Sequence, residues 1–199
     1  NMSQTLLVAT HNRGKVKEFA EMLADLDLEW LSLDDIGLEK DVDETGQTFQ
    51  ENAMLKAQTY AAETGYLTLA DDSGLEVDAL NGEPGIYTAR YGGAGLDHEG
   101  RYLLLLKNLN GVVGEERSAR FRCVIALATP DGLLGTADGV CEGIIATEPA
   151  GAGGFGYDPV FFLPDRGVTM AQVPSSVKHQ ISHRGRALKA IEPLLRSNV

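Results

Sequence analysis

The short run Leu67-Thr68-Leu69-Ala70 passes without a break into Asp71-Asp72-Ser73-Gly74. The run reads as a strand. A strand that leads into two carboxylates, a hydroxyl and a glycine limits what can surround it. In open α/β sheets, ligands gather outside the carboxyl ends of strands. Two acids there suit a hard cation such as Mg²⁺, which takes oxygen ligands and keeps room for waters and substrate phosphates. Asp-Asp-Ser-Gly is equally ordinary turn chemistry. The rest of the chain decides between a site and a turn.

Thr5 to Ala9 reads as a buried strand. Thr10-His11-Asn12-Arg13-Gly14-Lys15 follows it, and then Val16, Phe19, Ala20 and Leu23 recur at helical spacing. Asn12 is a natural N-cap for that helix. A strand, a polar loop and a helix N-terminus together favour an anion, because free N–H groups and the helix dipole point at it. Lys15 in the first turn opposes the dipole, so it fits better if it reaches toward a phosphate. The competing reading is a plain capped helix with a solvent lysine. The spacing is not that of a Walker A loop.

Leu28 to Leu33 reads as a second strand. Asp34 to Gly46 is an acidic connection in which Glu44 stands just ahead of the next helix. Thr48 and Glu51 form a capping box for that helix. Ala53, Ala57, Tyr60 and Ala61 give its apolar stripe, and Gly65 ends it. Lys56 reads as a surface lysine. Leu75 to Ala79 alternates like a half-buried strand, and Asn81 to Gly95 is a long Gly-rich loop. Asp97 to Leu109 reads as a helix with Tyr102, Leu103 and Leu106 inward. Ala119 to Thr129 and Leu133 to Thr147 read as two strands joined at Pro130-Asp131-Gly132, a hairpin forming a second lobe at roughly 118–147.

Gly151 to Gly156 spells Gly-x-Gly-x-x-Gly, but Tyr157 to Phe162 after it reads as a strand, and a dinucleotide fingerprint needs a helix there. Phe155, held among glycines, is either a base-stacking platform or a core residue in a hinge loop. Ser175-Ser176-Val177-Lys178 lacks the companion motifs of penicillin-recognising enzymes. Lys178, His183 and Arg184 make the densest basic cluster, ahead of a last helix over Ala187 to Arg196 that Pro193 should weaken. Cations near a chain end are otherwise solvated.

A net charge of −12 opposes non-specific binding to nucleic acid or anionic membrane. Cys123 and Cys141 make no metal pattern and fit a reducing, cytoplasmic compartment. No apolar run approaches the roughly 18 residues of a membrane span. Asn1 ahead of Met2 reads as an added residue, so residues 2–199 are taken as one domain in two lobes. A phosphate cradle, a carboxylate site, an aromatic platform and polar readers together match a nucleoside triphosphate.

Six motifs in order carry a closer likeness: Thr10 to Lys15; Glu44-Thr45-Gly46-x-Thr48-Phe49-x-Glu51-Asn52-Ala53; Ala70 to Gly74; Pro84-Gly85-Ile86-Tyr87-x-Ala89-Arg90-Tyr91; Gly153 to Pro159; and Ser182-His183-Arg184-Gly185. From about Leu6 to Leu195 the chain resembles the Ham1/RdgB family of non-canonical purine triphosphate pyrophosphatases. The resemblance implies an α/β fold with a mixed, curved central sheet flanked by helices, in two lobes with a deep cleft between them. It implies a homodimer and Mg²⁺-dependent cleavage of inosine and xanthosine triphosphates between the α and β phosphates. By the same resemblance Thr10, His11, Asn12, Arg13, Gly14 and Lys15 hold the triphosphate. Asp72 and Glu44 bind Mg²⁺, and Asp72 is the general base. Ser73 touches substrate, Phe155 stacks on the base beside Gly156, and Tyr157, Asp158, Lys178, His183 and Arg184 read its edge. Two other readings stay open: a non-catalytic nucleotide sensor, and a phosphatase that removes the terminal phosphate.

Overall fold

A computed structural model describes residues 4–199, so Asn1 and Met2 lie outside the described residues. The strands form a seven-stranded sheet in the order β2-β1-β3-β4-β5-β6-β7. They are β1 (Gln4–Val8), β2 (Leu28–Leu31), β3 (Leu67–Val77), β4 (Ser118–Thr129), β5 (Gly132–Ile145), β6 (Phe161–Leu163) and β7 (Val168–Thr169). β1 lies parallel to both β2 and β3, whereas β5 and β6, and β6 and β7, are antiparallel. The sheet is therefore mixed, as expected. The helices are α1 (Arg13–Met22), α2 (Phe49–Thr64), α3 (His98–Asn108), α4 (Ser175–Ile181) and α5 (His183–Arg196).

The chain divides into two compact units. The first comprises Asn1–Asp72, Cys123–Gly139 and Arg184–Val199, and the second Ser73–Arg122 and Val140–His183. Each has its own core. In the first unit, Leu6 and Val8 of β1 pack with Phe19 of α1 and Leu188, Ile191 and Leu195 of α5. Leu7 points the other way, onto Tyr60 of α2. Alternate residues of a strand face opposite sides, so a strand covered on both faces has to be apolar where it is covered, as Leu6, Leu7 and Val8 are, while Gln4 and Thr5 lie at the less buried start of β1. In the second unit, Leu75, Val77, Leu105, Phe121 and Phe161 form the core.

Four boundaries differ from the sequence reading. β3 does not end at Ala70 but runs unbroken to Val77, because the acidic pair is absorbed by cations on the flanking helices. β2 stops at Leu31, where Ser32 and Asp35 exchange hydrogen bonds, amide to carboxylate at 2.8 Å and amide to hydroxyl at 3.1 Å. α5 starts at His183 rather than Ala187, so Gly185 is a buried helical position and not a break. After Tyr157, Asp158–Val160 turns as a short 3₁₀ segment before β6 begins. On α3, Tyr102 and Leu106 pack against the core as expected, together with the buried Leu105, whereas Leu103 is exposed.

Caps fix both functional helices. Asn12 accepts the Lys15 amide at the start of α1, and Thr48 accepts the Glu51 amide at the start of α2. The Glu51 carboxylate reaches past the cap to the Gln47 amide at 2.7 Å, so the α2 box is not reciprocal. Loss of such a cap costs about 1 kcal/mol. Thr48→Ala should lower unfolding stability by about that amount in urea titrations.

Candidate active site

The two aspartates of β3 are adjacent, so their side chains leave opposite faces of the sheet. Asp71 points toward α1 and α5. Lys15 Nζ lies 3.2 Å from its Oδ1, and Arg184 Nε 3.6 Å from its Oδ2. Cys123 Sγ is 4.0 Å away. Burial by itself pushes the Asp71 carboxyl up, but Lys15, Arg184 and Lys56 outweigh burial and hold it well below the usual carboxylate range. Asp71 is thus a permanent anion with two cations of its own.

Asp72 faces α2. Its Oδ1 lies 3.7 Å from Lys56 Nζ, and that ammonium also donates to the Asp71 carbonyl at 2.6 Å and to Glu44 Oε1 at 3.1 Å. Asp72 Oδ2 is buried and has no hydrogen-bond partner among the described residues. Burial, helped by the charges of Glu44 and Asp71, overrides Lys56 and Asn52 and pushes the Asp72 carboxyl up to about 6. For Lys56, burial lowers the ammonium, yet Asp71, Asp72 and Glu44 together hold it above its usual range.

Glu44 sits on the irregular 34–46 connection, which closes onto α2. The Gly46 amide donates to Asn52 Oδ1 at 2.8 Å, and a Cβ at Gly46 would lie 2.7 Å from that oxygen. The Thr10–Lys15 loop lies in the same unit. Thr10 Oγ1 accepts the Asn12 amide at 3.1 Å. Arg13 is exposed and turned to Asp35 at 3.4 Å, and Gly14 is exposed in the first turn of α1. Both His11 ring nitrogens meet carboxylates, Asp34 at 2.6 Å and Asp41 at 3.0 Å.

In the second unit, Phe155 is 48% exposed with Lys178 Nζ 4.9 Å from its ring centroid. Asp158 organises this corner. Its Oδ2 accepts the Phe155 amide at 3.1 Å and Lys178 Nζ at 2.7 Å. Gly154 has φ +67°, and a Cβ there would fall 2.1 Å from the same oxygen, so only glycine fits. Gly156 follows with φ +61°. The Tyr157 hydroxyl donates to the Thr88 carbonyl at 2.7 Å. His183 is buried and stacked on Phe121 at 4.8 Å, and Ser73 is half-buried in β3.

The profile of the Ham1 family matches residues 6–194. The chain belongs to the Ham1 family. It is 50% identical over 190 residues to the dITP/XTP pyrophosphatase of Bacillus licheniformis, covering 96% of this chain and 97% of that one. It is 48% identical to the dITP/XTP pyrophosphatase of Listeria monocytogenes, over 94% of this chain and 92% of that one. The solved structure of a HAM1 protein from Coxiella burnetii matches with a TM-score of 0.90 at 39% identity, over 98% of this chain and 99% of that one.

Within this Ham1 chain the predicted basic cluster is not a cluster. Lys178 pairs with Asp158, Arg184 with Asp71, and His183 stacks on a ring. Lys56, read as a surface lysine, is buried among three carboxylate-bearing residues. Its position on α2 one turn past Asn52 was legible. That this face of α2 meets the end of the acidic connection was not. Asp71, ambiguous beside Asp72 in sequence, is separated from it by strand alternation alone.

The two aspartates should therefore respond oppositely to neutralisation. Asp71→Asn removes the anion that half-buried Lys15 and buried Arg184 share, leaving Arg184 with Glu18 at 3.9 Å, and should cost about 3 kcal/mol. Asp72→Asn removes a buried charge. In chelator at pH 7.5 it should stabilise by about 2 kcal/mol, because the folded carboxyl holds its proton more tightly than the unfolded one. That gain should fade as pH falls from about 6 toward the ordinary 3.8. Urea titrations of both variants across that range check the contrast.

Proposed function

We propose that this Ham1 protein hydrolyses ITP and XTP, and their deoxy forms, at the α–β phosphate bond to give the nucleoside monophosphate and pyrophosphate. The names of its close relatives support the substrate class. The observation that carries the chemistry is Asp72: a buried carboxylate raised to about 6, with one oxygen left without a hydrogen-bond partner among the described residues. Without metal such a carboxyl takes up a proton near neutrality more readily than an ordinary aspartate, and a bound divalent cation would draw it back toward the carboxylate. A protein that only binds a polyanion gains nothing from such a group.

The donor set fits a hard cation that shares its shell with substrate. Asp72 Oδ2 is buried without a hydrogen-bond partner among the described residues, and the exposed Glu44 shares Lys56 with it. Mg²⁺ takes its remaining ligands from water and phosphate. Asp72 and Glu44 would hold it, and when bound it neutralises phosphate oxygens and favours departure of pyrophosphate. Asp72 takes the proton of the attacking water. The first amides of α1, which have no intrahelical acceptor, cradle the phosphates together with Thr10 and Asn12. Lys15, anchored on Asp71, keeps donors to spare for a phosphate oxygen.

Phe155 stacks on the base, and Lys178, with Tyr157, Asp158 and His183, reads its edge. A donor facing the 6-oxo group of inosine or xanthosine is left unpaired by the 6-amino group of adenosine, which rejects ATP. GTP is excluded by a penalty on its 2-amino group. The family resemblance supports a homodimer, and two buried free cysteines suit the reducing cytoplasm. Among the described residues no helix is long and apolar enough to cross a membrane.

Incubation with ITP, XTP, GTP and ATP, with Mg²⁺ or chelator, should give monophosphate plus pyrophosphate from ITP and XTP alone, and only with metal. Diphosphate plus phosphate would move the scissile bond, and tight ITP binding without turnover would leave a sensor. Asp72→Asn should abolish turnover while ITP binding persists, and an unchanged kcat would overturn the base assignment. Base–aromatic stacking contributes about 1–3 kcal/mol, so Phe155→Ala should raise KM for ITP by roughly tenfold or more. Steady-state kinetics on the purified variant reads this directly.

A further inference from the structure

His11 lies in the loop assigned to the triphosphate, yet its ring points elsewhere. Nδ1 lies 2.6 Å from Asp34 Oδ1, and Nε2 lies 3.0 Å from Asp41 Oδ1. A neutral imidazole has one donor and one acceptor nitrogen. With a carboxylate at both nitrogens, the neutral ring would set a lone pair against an anion. Only the imidazolium satisfies both contacts. Its pKa is raised accordingly, by the hydrogen bond to Asp34 first, with burial opposing and the charges of Asp41 and Asp34 adding to it. Among the described residues Asp34 and Asp41 are the charged groups that face the ring, and the neighbouring Arg13 turns to Asp35.

Asp34 and Asp41 both belong to the connection that ends at Glu44. Ile36, Leu38 and Val42 pack its middle against Leu7, Leu33 and Tyr60, so what His11 adds is a charged tie on the solvent side of a segment that already has an apolar anchor. The Leu33 amide donates to the Thr10 carbonyl at 3.0 Å at one end, and Gly46 is tied to Asn52 at the other. In between, the Tyr60 hydroxyl takes the Val42 amide at 3.0 Å and gives to the Lys40 carbonyl at 3.1 Å. His11 grips the segment at two points seven residues apart, on either side of the turn in which the Gly37 amide meets the Asp34 carbonyl.

The geometry points to His11 as a positioning residue: as an imidazolium it ties the acidic 34–46 connection, and with it Glu44, to the phosphate loop. This rests on the assignment of Glu44 to the metal site given above. An exposed ion pair holds little by itself, but a ring gripped through both nitrogens by charge-assisted bonds is fixed in position and orientation. A raised histidine pKa sets the sign. The clamp is complete below the ordinary 6.5 and is lost as pH rises through the folded value.

Hydrogen–deuterium exchange on the metal-free full chain tests it, in wild type, His11→Gln, His11→Arg and Asp41→Asn. Asp41 is largely in solvent, so its variant keeps the test valid even if a His11 variant folds poorly. Exchange over residues 38–46, corrected for intrinsic rate, should rise about fivefold in His11→Gln and Asp41→Asn, with β1 and α1 unaffected. His11→Arg, which keeps a cation with several donors, should stay near wild type. In wild type, protection of 38–46 should fall as pH passes the His11 midpoint, and NMR should place that midpoint above 6.5. An unchanged segment in His11→Gln, equal loosening in His11→Arg, or protection indifferent to pH across the midpoint overturns the clamp. If Glu44→Gln leaves the Mg²⁺ dependence of ITP hydrolysis unaltered while His11→Gln still loosens the segment, the metal assignment fails and the clamp stands.

Discussion

The first unit is arranged around a buried negative charge that cannot be given up. Asp71 sits in the middle of a strand, out of water, and an unpaired ion there would cost several kcal/mol. Lys15 from α1 and Arg184 from α5 meet it from the helices that cover that face of the sheet. The ion pairs therefore do two jobs. They let β3 carry an acid through the sheet without breaking, and they fix a lysine at the start of α1 where the dipole alone would repel it.

The opposite face uses the same ingredients to reach a different protonation state. There a single ammonium, Lys56, is shared among Glu44, the Asp71 carbonyl and Asp72, and it stands 3.7 Å from the Asp72 carboxylate. That partial compensation leaves burial dominant. One residue along the strand thus separates a carboxyl held far below the ordinary range from one raised to about 6. Environments that push neighbouring acids apart mark the division between structural and reactive groups.

Most of this frame was legible in the sequence where the signal was local. The β1–loop–α1 unit, the Asn12 and Thr48 caps and the Pro130-Asp131 hairpin rest on spacing and turn chemistry, and they stand as read. The exposed Phe155 follows from glycines that leave it no core to enter. What the sequence hid was non-local. Whether Asp71-Asp72 ends a strand depends on cations that arrive from residues 15, 56 and 184, so local turn chemistry gave the wrong end to β3. Lys56 looked like any helix-surface lysine because nothing in its own turn announces the carboxylates that fold over it. Lys178, His183 and Arg184 are close in number, but a helix boundary at Ser182 sends each to a separate partner.

Phe155 owes its position to hydrogen bonds on its own backbone, with Lys178 over one face of its ring and His98 tilted beside it. The Asp158 carboxylate holds the amide, Gly154 supplies the left-handed turn, and the ring itself stays out of the core. The identity of the aromatic is thereby uncoupled from folding. Other flat side chains, tyrosine, tryptophan or histidine, can stand on the same turn and still offer a face to Lys178 and an edge to His98. A lineage under pressure from a different damaged base has here a position it can explore at little structural cost, while Gly154 and Asp158 stay fixed beneath it.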